Sequence, residues 1–436
     1  MAYIIHSVVA EGLSNRPHLE IVFHRHVNFL IGRNGTGKTT VMRALYAALS
    51  LNIAALERSQ FTRLLVSFKD IRQNETPQLE IVKEQPWSLQ IRFRESADNP
   101  FVGVSTESEI TSQLSGLLSI ASSSYPPKRD RTSRGGWVAS VDALRFHLTE
   151  SLSFSWLPLL RSLSGEERPR QGLFGEKNVD PIAERLDQLN AQITSFLSQL
   201  DFRIYAENQQ FQRRVFSSLL EGHAPFPTAE DLAKANTELQ VTEMFKQIGF
   251  FDQEIGDKIS TFFASANDAV RSIDDDEGII VDSDAINKII TIVQLNHLAD
   301  ILSKYVQFQQ ERDKILMPRT LFLDTMNSML FKKIVDFDTR NSTVVYFGDE
   351  RVQGTVSELS SGERQLYLLM GEVMSRSGDR HVFLADEPEL SLHVDWQVQL
   401  VDNLLGLNPT AQIIFATHSP DIVAGYQDNT FDFEKL

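Results

Sequence analysis

The sequence has no cysteine among its 436 residues, which excludes disulfide bonds and thiolate metal sites. It also has no apolar run of about 18 residues, the length that a membrane-spanning helix requires. Residues 1–10 lack the basic start, the long apolar centre and the small-residue cleavage site of a signal peptide. These absences favour a cytoplasmic protein, in a reducing compartment, that does not contact a membrane.

Positive charge is also scarce. The 42 lysine and arginine residues are outnumbered by 58 aspartate and glutamate residues, and the net charge is −16. A protein that coats DNA with its whole surface is usually basic. This charge balance therefore argues against indiscriminate duplex binding. It leaves room for a local basic groove, because salt screens charges beyond about 10 Å.

A glycine-rich loop follows an apolar strand pattern at residues 27–31 and precedes a helix pattern. Residues 32–39 read GRNGTGKT and fit G-x-x-x-x-G-K-[ST] at every fixed position. Such a loop points backbone N–H groups at phosphate oxygens, and the helix adds its positive N-terminus. Lys38 is predicted to reach the β- and γ-phosphates. The residues predicted to bind ATP are Asn34, Gly35, Gly37, Lys38, Thr39 and Thr40.

An apolar strand pattern that ends in two acids supplies the second half of the predicted site. Residues 382–385 are apolar and are followed by Asp386 and Glu387, the Walker B arrangement. Asp386 and the hydroxyl of Thr39 are predicted to hold Mg²⁺, and Glu387 to act on the attacking water as general base. An apolar strand ending in Asp-Glu is common by itself, so this prediction depends on the neighbouring motifs.

Three neighbouring motifs support this prediction, one before the acidic strand in the sequence and two after it. Residues 359–365, LSSGERQ, resemble the ABC signature, which binds the nucleotide of a second subunit through a helix N-terminus. His418 follows an apolar strand pattern and matches the switch histidine, although a structural role at a strand end is the alternative. Residues 389–393 match the D-loop, in which His393 has helix capping or packing as its alternative. The predicted signature residues are Ser360, Ser361, Gly362 and Glu363, and those of the D-loop are Ser391 and His393.

The order of the motifs is that of ABC ATPases, and the sequence resembles their SMC/Rad50-like branch. Lys38 and Glu387 are 387 − 38 = 349 residues apart, farther than in transporter subunits, which argues against a transporter role. Residues 387–393, EPELSLH, resemble the EPE-x-x-LH phrase of OLD-related ATPases of the AAA15/AAA21 type, as do residues 156–161, WLPLLR. The resemblance implies ATP and Mg²⁺ as cofactors and head-to-head dimers as the active assembly.

The predicted fold class is α/β, a P-loop NTPase head of ABC type in two lobes split by an α-helical insertion. Apolar residues from Ile182 to Leu200 follow a heptad spacing, which is typical of helices. We assign residues 1–180 to an N-terminal ATPase lobe, 181–317 to the insertion and 318–436 to a C-terminal ATPase lobe. The insertion is either a short coiled-coil arm or a helical subdomain packed on the head.

Two charged segments have competing interpretations. Residues 274–284 contain an Asp-x-Asp pair, which suits either a metal-dependent nuclease or a solvated loop followed by a helix cap. The helix pattern that follows favours the cap. The basic residues 128–134 suit contact with phosphates or a solvated loop, and the loop is the preferred interpretation.

The family resemblance also suggests a biological role. A TOPRIM domain, which OLD-type nucleases carry after the head, does not fit into the residues that follow His418. The sequence therefore resembles the stand-alone ATPase component of a two-gene anti-phage system, first the AriA-type ATPase of PARIS and next the PtuA-type ATPases of Septu and retron systems. This implies a sensor that responds to a phage-derived trigger and controls a separate TOPRIM or HNH nuclease, with DNA contact as an option. The alternative is a RecF-like DNA repair ATPase.

Overall fold

The computed structural model describes residues 3–13, 16–71, 73, 75–85, 88–96, 98–105, 141–158, 181–220, 237–274 and 283–435. The strands are β1 Tyr3–Leu13, β2 Arg16–Val22, β3 Val27–Ile31, β4 Arg63–Asp70, β5 Gln78–Gln85, β6 Ser88–Arg94, β7 Val102–Ser105, β8 Phe154–Leu157, β9 Lys333–Phe337, β10 Thr343–Phe347, β11 Val352–Gly354, β12 Val382–Asp386, β13 Gln412–Ala416 and β14 Thr430–Asp432. The helices are α1 Lys38–Leu49, α2 Ile53–Arg58, α3 Val141–Ser151, α4 Pro181–Leu220, α5 Thr237–Ile248, α6 Gln253–Asp274, α7 Ser283–Met329, α8 Ser361–Met374, α9 Val394–Leu407 and α10 Pro420–Val423.

The chain divides into two compact units. One contains Met1–Leu197 and Pro318–Leu436, and the other contains Ser198–Met317. The divisions fall within α4 and α7, so residues 181–197 group with the strands rather than with the rest of the predicted insertion. The basic segment 128–134, residues 159–161 of the WLPLLR segment, and most of the Asp-rich segment lie outside the described residues.

A five-stranded parallel sheet forms the centre of the first unit, with the strand order β14-β3-β13-β12-β8. All residues of β12 and β13 are buried, as expected for parallel strands that are covered on both faces and therefore read as continuous apolar runs. The carboxyl ends of β3, β12 and β13 lie at the same edge of the sheet. This edge carries the loops that follow Ile31, Asp386 and Ala416.

Two antiparallel sheets complete the strands of this unit. The larger has the order β2-β1-β4-β5-β6-β7, and the smaller has the order β11-β10-β9. The larger sheet shares one hydrophobic core with α1 and with the parallel sheet, in which Ile5, Leu45, Phe68 and Leu384 are fully buried. The predicted α/β fold class is confirmed, and so are the strands expected from apolar runs at β3, β12 and β13.

The heptad stripe at the start of α4 packs on α8 within the first unit. A Cβ atom on Gly371 of α8 would lie 3.0 Å from the side chains of both Leu189 and Ile193. Beside this contact, the Tyr367 hydroxyl donates to Asn190 Oδ1 at 2.6 Å. The apolar stripe at residues 186–197 is therefore buried against a helix of its own unit.

The second unit is helical and has its own core. Its buried side chains come from α5, α6 and α7, and they include Val241, Ile259, Phe263, Leu302 and Tyr305. Helix α7 continues through Pro318 to Met329, beyond the predicted end of the insertion. Among the described residues, no helix combines the length and the apolar character needed to cross a lipid bilayer.

Candidate functional site

The glycine-rich loop joins β3 to α1 at the carboxyl edge of the parallel sheet. Gly37, the residue before α1, has a φ of 99°, in the left-handed region that favours glycine. At Gly32, φ is 137° and an added Cβ would lie 3.2 Å from Phe433 Cβ. These glycines allow the loop to curl, so that α1 begins directly at Lys38.

Lys38 is buried within this loop. Its Nζ lies 2.7 Å from the carbonyl oxygen of Gly32, 3.2 Å from that of Arg33 and 2.8 Å from Nε2 of His418. The last distance allows the Lys38 ammonium group to donate a hydrogen bond to the His418 ring. Burial lowers the pKa of Lys38, and the nearby carboxylate of Glu387 opposes this effect.

Thr39 and Asp386 connect the glycine-rich loop to the acidic strand. The Thr39 hydroxyl donates to Asp386 Oδ1 at 3.1 Å, and Asp386 is 4% exposed. Burial raises the pKa of Asp386 to about 6, although the Thr39 hydrogen bond and the positive charges of Arg43 and Lys38 oppose the rise. The two side chains present oxygen atoms only, the ligand type that Mg²⁺ prefers. The residues present therefore fit a magnesium ion at this position.

Glu387 and His418 lie next to this pair. Glu387 Oε1 is 3.9 Å from His418 Nε2, and the two side chains are 27% and 34% exposed. Glu387 has a φ of 48°, which is uncommon for a residue other than glycine. Its backbone N–H donates to the carbonyl of Ala416 at 2.7 Å, and this bond fixes the turn after β12 against the end of β13.

Two clefts border the glycine-rich loop. The larger, of about 800 Å³, is lined by Arg33, Asn34, Glu387, Glu389, Leu390, Gln397, His418, Ser419, Pro420 and Asp421. The smaller, of about 310 Å³, is lined by Leu13, Arg16, Gly35, Thr36, Gly37, Val41 and Gln60. The larger volume is within the range of small-molecule sites. Partly exposed acid and imidazole groups thus face an open cleft.

The predicted signature residues form the start of α8. Ser360 caps the helix: its Oγ accepts from the backbone N–H of Glu363 at 3.4 Å, and Glu363 Oε2 accepts from the backbone N–H of Ser360 at 2.7 Å. The Glu363 carboxylate also accepts from Lys333 Nζ at 2.8 and 2.7 Å. Burial would raise the pKa of Glu363, but the hydrogen bonds from Lys333 and Ser360 outweigh it and hold this pKa below its ordinary value.

The predicted D-loop residues lie beside the signature helix. A Cβ atom on Gly362 would come within 2.2 Å of the Ser391 carbonyl oxygen, so only glycine allows this approach. His393 caps α9, where its Nδ1 accepts from the backbone N–H of Asp395 at 3.4 Å. The structure thus brings Lys38, Thr39, Asp386, Glu387 and His418 together. The signature residues, Ser391 and His393 line neither of the two clefts described above.

Two residues contact the predicted switch segment, although neither contact was predicted from the sequence. Glu389 Oε1 accepts from the backbone N–H of His418 at 2.7 Å, and Gln397 Oε1 accepts from the Ser419 hydroxyl at 2.6 Å. Glu389 is the third residue of the EPE phrase, which was the available signal. Gln397 lies in α9 and had no comparable signal in the sequence.

The chain belongs to the AAA ATPase domain family designated AAA_15, whose family model matches residues 16–423. The match covers the glycine-rich loop, the acidic strand and His418. Family membership supports ATP binding and hydrolysis by this chain.

Solved Smc head domains are similar in fold. The head with an extended coiled coil, bound to the C-terminal domain of ScpA, from Pyrococcus furiosus aligns at 10% identity and a TM-score of 0.44, covering 99% of this chain and 93% of that one. The Smc head with coiled coil and joint from Pyrococcus yayanosii aligns at 11% identity and a TM-score of 0.39, covering 99% and 95%. At these TM-scores, the similarities assign no partner and no function to the chain.

Proposed function

We propose that this protein hydrolyses ATP with Mg²⁺ at the edge of the parallel sheet and that the active assembly is a head-to-head dimer. The observation that carries the proposal is the convergence of Lys38, Thr39, Asp386, Glu387 and His418 around the end of the glycine-rich loop. Family membership supports the same activity.

Each of these side chains has a chemical role in the proposed reaction. Lys38 neutralises the terminal phosphates, and the loop N–H groups of Asn34 to Thr40 hold the phosphate oxygens. Thr39 and Asp386 would hold the magnesium ion, which would withdraw charge from the phosphate oxygens. Glu387 orients the attacking water and accepts its proton. His418, whose Nε2 lies 3.9 Å from Glu387 Oε1, senses the γ-phosphate in this proposal.

The signature helix supplies the argument for a dimer. Ser360 and Ser361 are exposed at the N-terminus of α8. A helix N-terminus with a free face attracts anions. We therefore place Ser361 and Gly362 of one copy over the γ-phosphate held by a second copy, with Ser391 and His393 at the seam between the copies.

Complementation between two inactive variants tests the dimer. Lys38→Ala disables the glycine-rich loop, and Ser361→Arg blocks the signature helix. If the sites are composite, each variant is inactive alone, whereas an equimolar mixture regains about a quarter of the wild-type rate, because half of the dimers are mixed and each contains one intact site. ATPase activity is measured against total protein concentration. If the wild type is active but the mixture of the two variants stays inactive, the composite site is contradicted.

We further propose that the ATPase senses a phage-derived trigger and controls a separate nuclease of TOPRIM or HNH type. The support is the EPELSLH phrase at residues 387–393 within a chain of the AAA ATPase domain family. The test is co-purification with the product of the neighbouring gene, followed by plaque counts in cells with wild-type or Lys38→Ala protein. Protection that does not depend on Lys38, or the absence of any protection, contradicts this role.

A further inference from the structure

Glu389 lies two residues after Glu387, and its side chain contacts the segment that carries His418. Its Oε1 accepts from the backbone N–H of His418 at 2.7 Å. Its Oε2 is buried and has no hydrogen-bond partner within the described part of the chain. A buried carboxylate oxygen without a partner costs free energy, and such costs are typical of positions that serve a function.

The backbone that presents Glu389 has an unusual conformation. Residues 387–392, here called the acidic loop, contain two non-glycine residues in the left-handed region, with φ of 48° at Glu387 and 68° at Ser391. The backbone N–H of Leu390 donates to the Glu387 carbonyl at 3.1 Å, and that of Leu392 donates to the Glu389 carbonyl at 2.9 Å. These two turns direct the Glu389 side chain towards the backbone of His418.

The far end of the acidic loop is connected to the same segment. Gln397 Nε2 donates to the Leu392 carbonyl at 3.0 Å, and Gln397 Oε1 accepts from the Ser419 hydroxyl at 2.6 Å. The loop therefore holds His418 through Glu389 and Ser419 through Gln397. Two contacts therefore hold the segment that carries the imidazole, one at the backbone N–H of His418 and one at the side-chain hydroxyl of Ser419.

The acidic loop also rests on the signature helix. The close approach between Gly362 and the Ser391 carbonyl leaves no room for a side chain at residue 362. A displacement of the start of α8 towards Ser391 would therefore push on the acidic loop. Glu389 passes such a movement directly to the backbone of His418.

We propose that Glu389 is a positioning residue that sets the place of the His418 imidazole relative to Lys38 and Glu387. Through the contact of the acidic loop with Gly362, it links the state of the signature helix to that imidazole. The inference rests on the proposed ATPase function. It assigns Glu389 no contact with the nucleotide.

Two substitutions separate hydrogen bonding from charge at this position. Glu389→Met keeps the side-chain length but removes both acceptor oxygens, whereas Glu389→Gln keeps one acceptor and removes the charge. Glu389→Met is expected to lower kcat for ATP by about tenfold or more, since misplaced catalytic groups cost at least this much. Its affinity for MgADP, measured by calorimetry, is expected to stay within about twofold of wild type. Glu389→Gln is expected to restore most of kcat.

A double-mutant cycle with His418→Ala identifies the residue through which Glu389 acts. If Glu389 works through His418, adding Glu389→Met to His418→Ala lowers kcat no further. Glu350→Gln removes a charge from an exposed position that lines neither cleft and serves as the control, with an unchanged kcat expected. The inference is overturned if Glu389→Met matches an active wild type, if Glu389→Gln is as impaired as Glu389→Met, or if the two effects multiply. A wild type that hydrolyses no ATP overturns the proposed function instead.

Discussion

Thr39 and Asp386 are separated by 347 positions in the sequence, yet the Thr39 hydroxyl donates to Asp386 Oδ1 at 3.1 Å. The contact arises because β3 and β12 both flank β13 in one parallel sheet, with their carboxyl ends at the same edge. Ligands of open α/β sheets bind outside the carboxyl ends of the strands. The following predictions depend on this edge.

Lys38→Ala is expected to weaken MgATP binding by about ten- to a hundredfold, because charged hydrogen bonds to phosphate are each worth about 1.5–3 kcal/mol. The measurement is calorimetry or displacement of a fluorescent nucleotide. Lys332→Ala serves as control, since the side chain of Lys332 is 59% exposed. A Lys38→Ala protein that binds MgATP as tightly as wild type would refute the assignment of the loop.

Glu387→Gln is expected to keep MgATP affinity while lowering kcat by about a hundredfold or more, the usual contribution of a general base. Because the nucleotide then persists, the variant should accumulate as an ATP-dependent dimer, which light scattering after gel filtration detects. Glu350→Gln, an exposed site, is the control. Equal turnover in Glu387→Gln and wild type would exclude Glu387 as the base.

Gly362→Ala is expected to lower the melting temperature and the ATPase rate. The new Cβ would lie 2.2 Å from the Ser391 carbonyl oxygen, a backbone atom that cannot turn aside. Overpacking of this kind costs about 1–3 kcal/mol. Gly406→Ala is the matched control, because its Cβ would meet only Leu321 Cδ2, at 3.4 Å. There, alanine is expected to be neutral or to stabilise α9 by up to about 1 kcal/mol.

The burial of His381 is expected to make the free energy of unfolding depend on pH. The ring nitrogens of His381 each lie 2.7 Å from a serine hydroxyl, Nδ1 from that of Ser153 and Nε2 from that of Ser155. Burial lowers the pKa of His381 from its ordinary value of 6.5 to about 3, and the positive charge of Arg376 contributes to this decrease. At pH 7.5 the imidazole is neutral in both the folded and the unfolded state. As pH falls below about 6.5, only the unfolded state gains the proton, so stability is lost on acidification.

The expected loss from His381 is about 2 kcal/mol between pH 7.5 and pH 5, from the linkage between protonation and folding. Urea unfolding at the two pH values measures it. Glu, Asp and other histidine residues also titrate, so the comparison is made with His381→Gln, which hydrogen-bonds but does not titrate in this range. If the variant and the wild type lose the same stability, His381 is not responsible.

The sequence predicted the elements that depend on local pattern. The apolar runs of β3, β12 and β13 predicted strands, and the glycine spacing predicted the loop before α1. The parallel pairing of these strands comes from the structure. The heptad spacing from Ile182 predicted a helix, but it could not identify α8 as the surface that this stripe covers, because periodicity specifies a face and not its partner.

Contacts between distant residues were not predictable in the same way. The pairing of Glu363 with Lys333 and of Glu389 with the backbone of His418 depends on the placement of four separate segments. Proline commonly ends a helix pattern, yet α7 passes through Pro318 and ends at Met329. Here tertiary context decides the local structure.

The place of β3 between β13 and β14 has a consequence for biosynthesis. Its two neighbours in the sheet, β13 and β14, are synthesised late. For example, the side-chain amide of Asn28 donates to the carbonyl of Ile413, which lies 385 positions later in the sequence. The central sheet therefore cannot close until the ribosome has delivered the residues of β13, and until then β3 exposes an apolar edge. Since closing long chain segments slows folding, this nascent chain should need protection from aggregation, for instance by a chaperone.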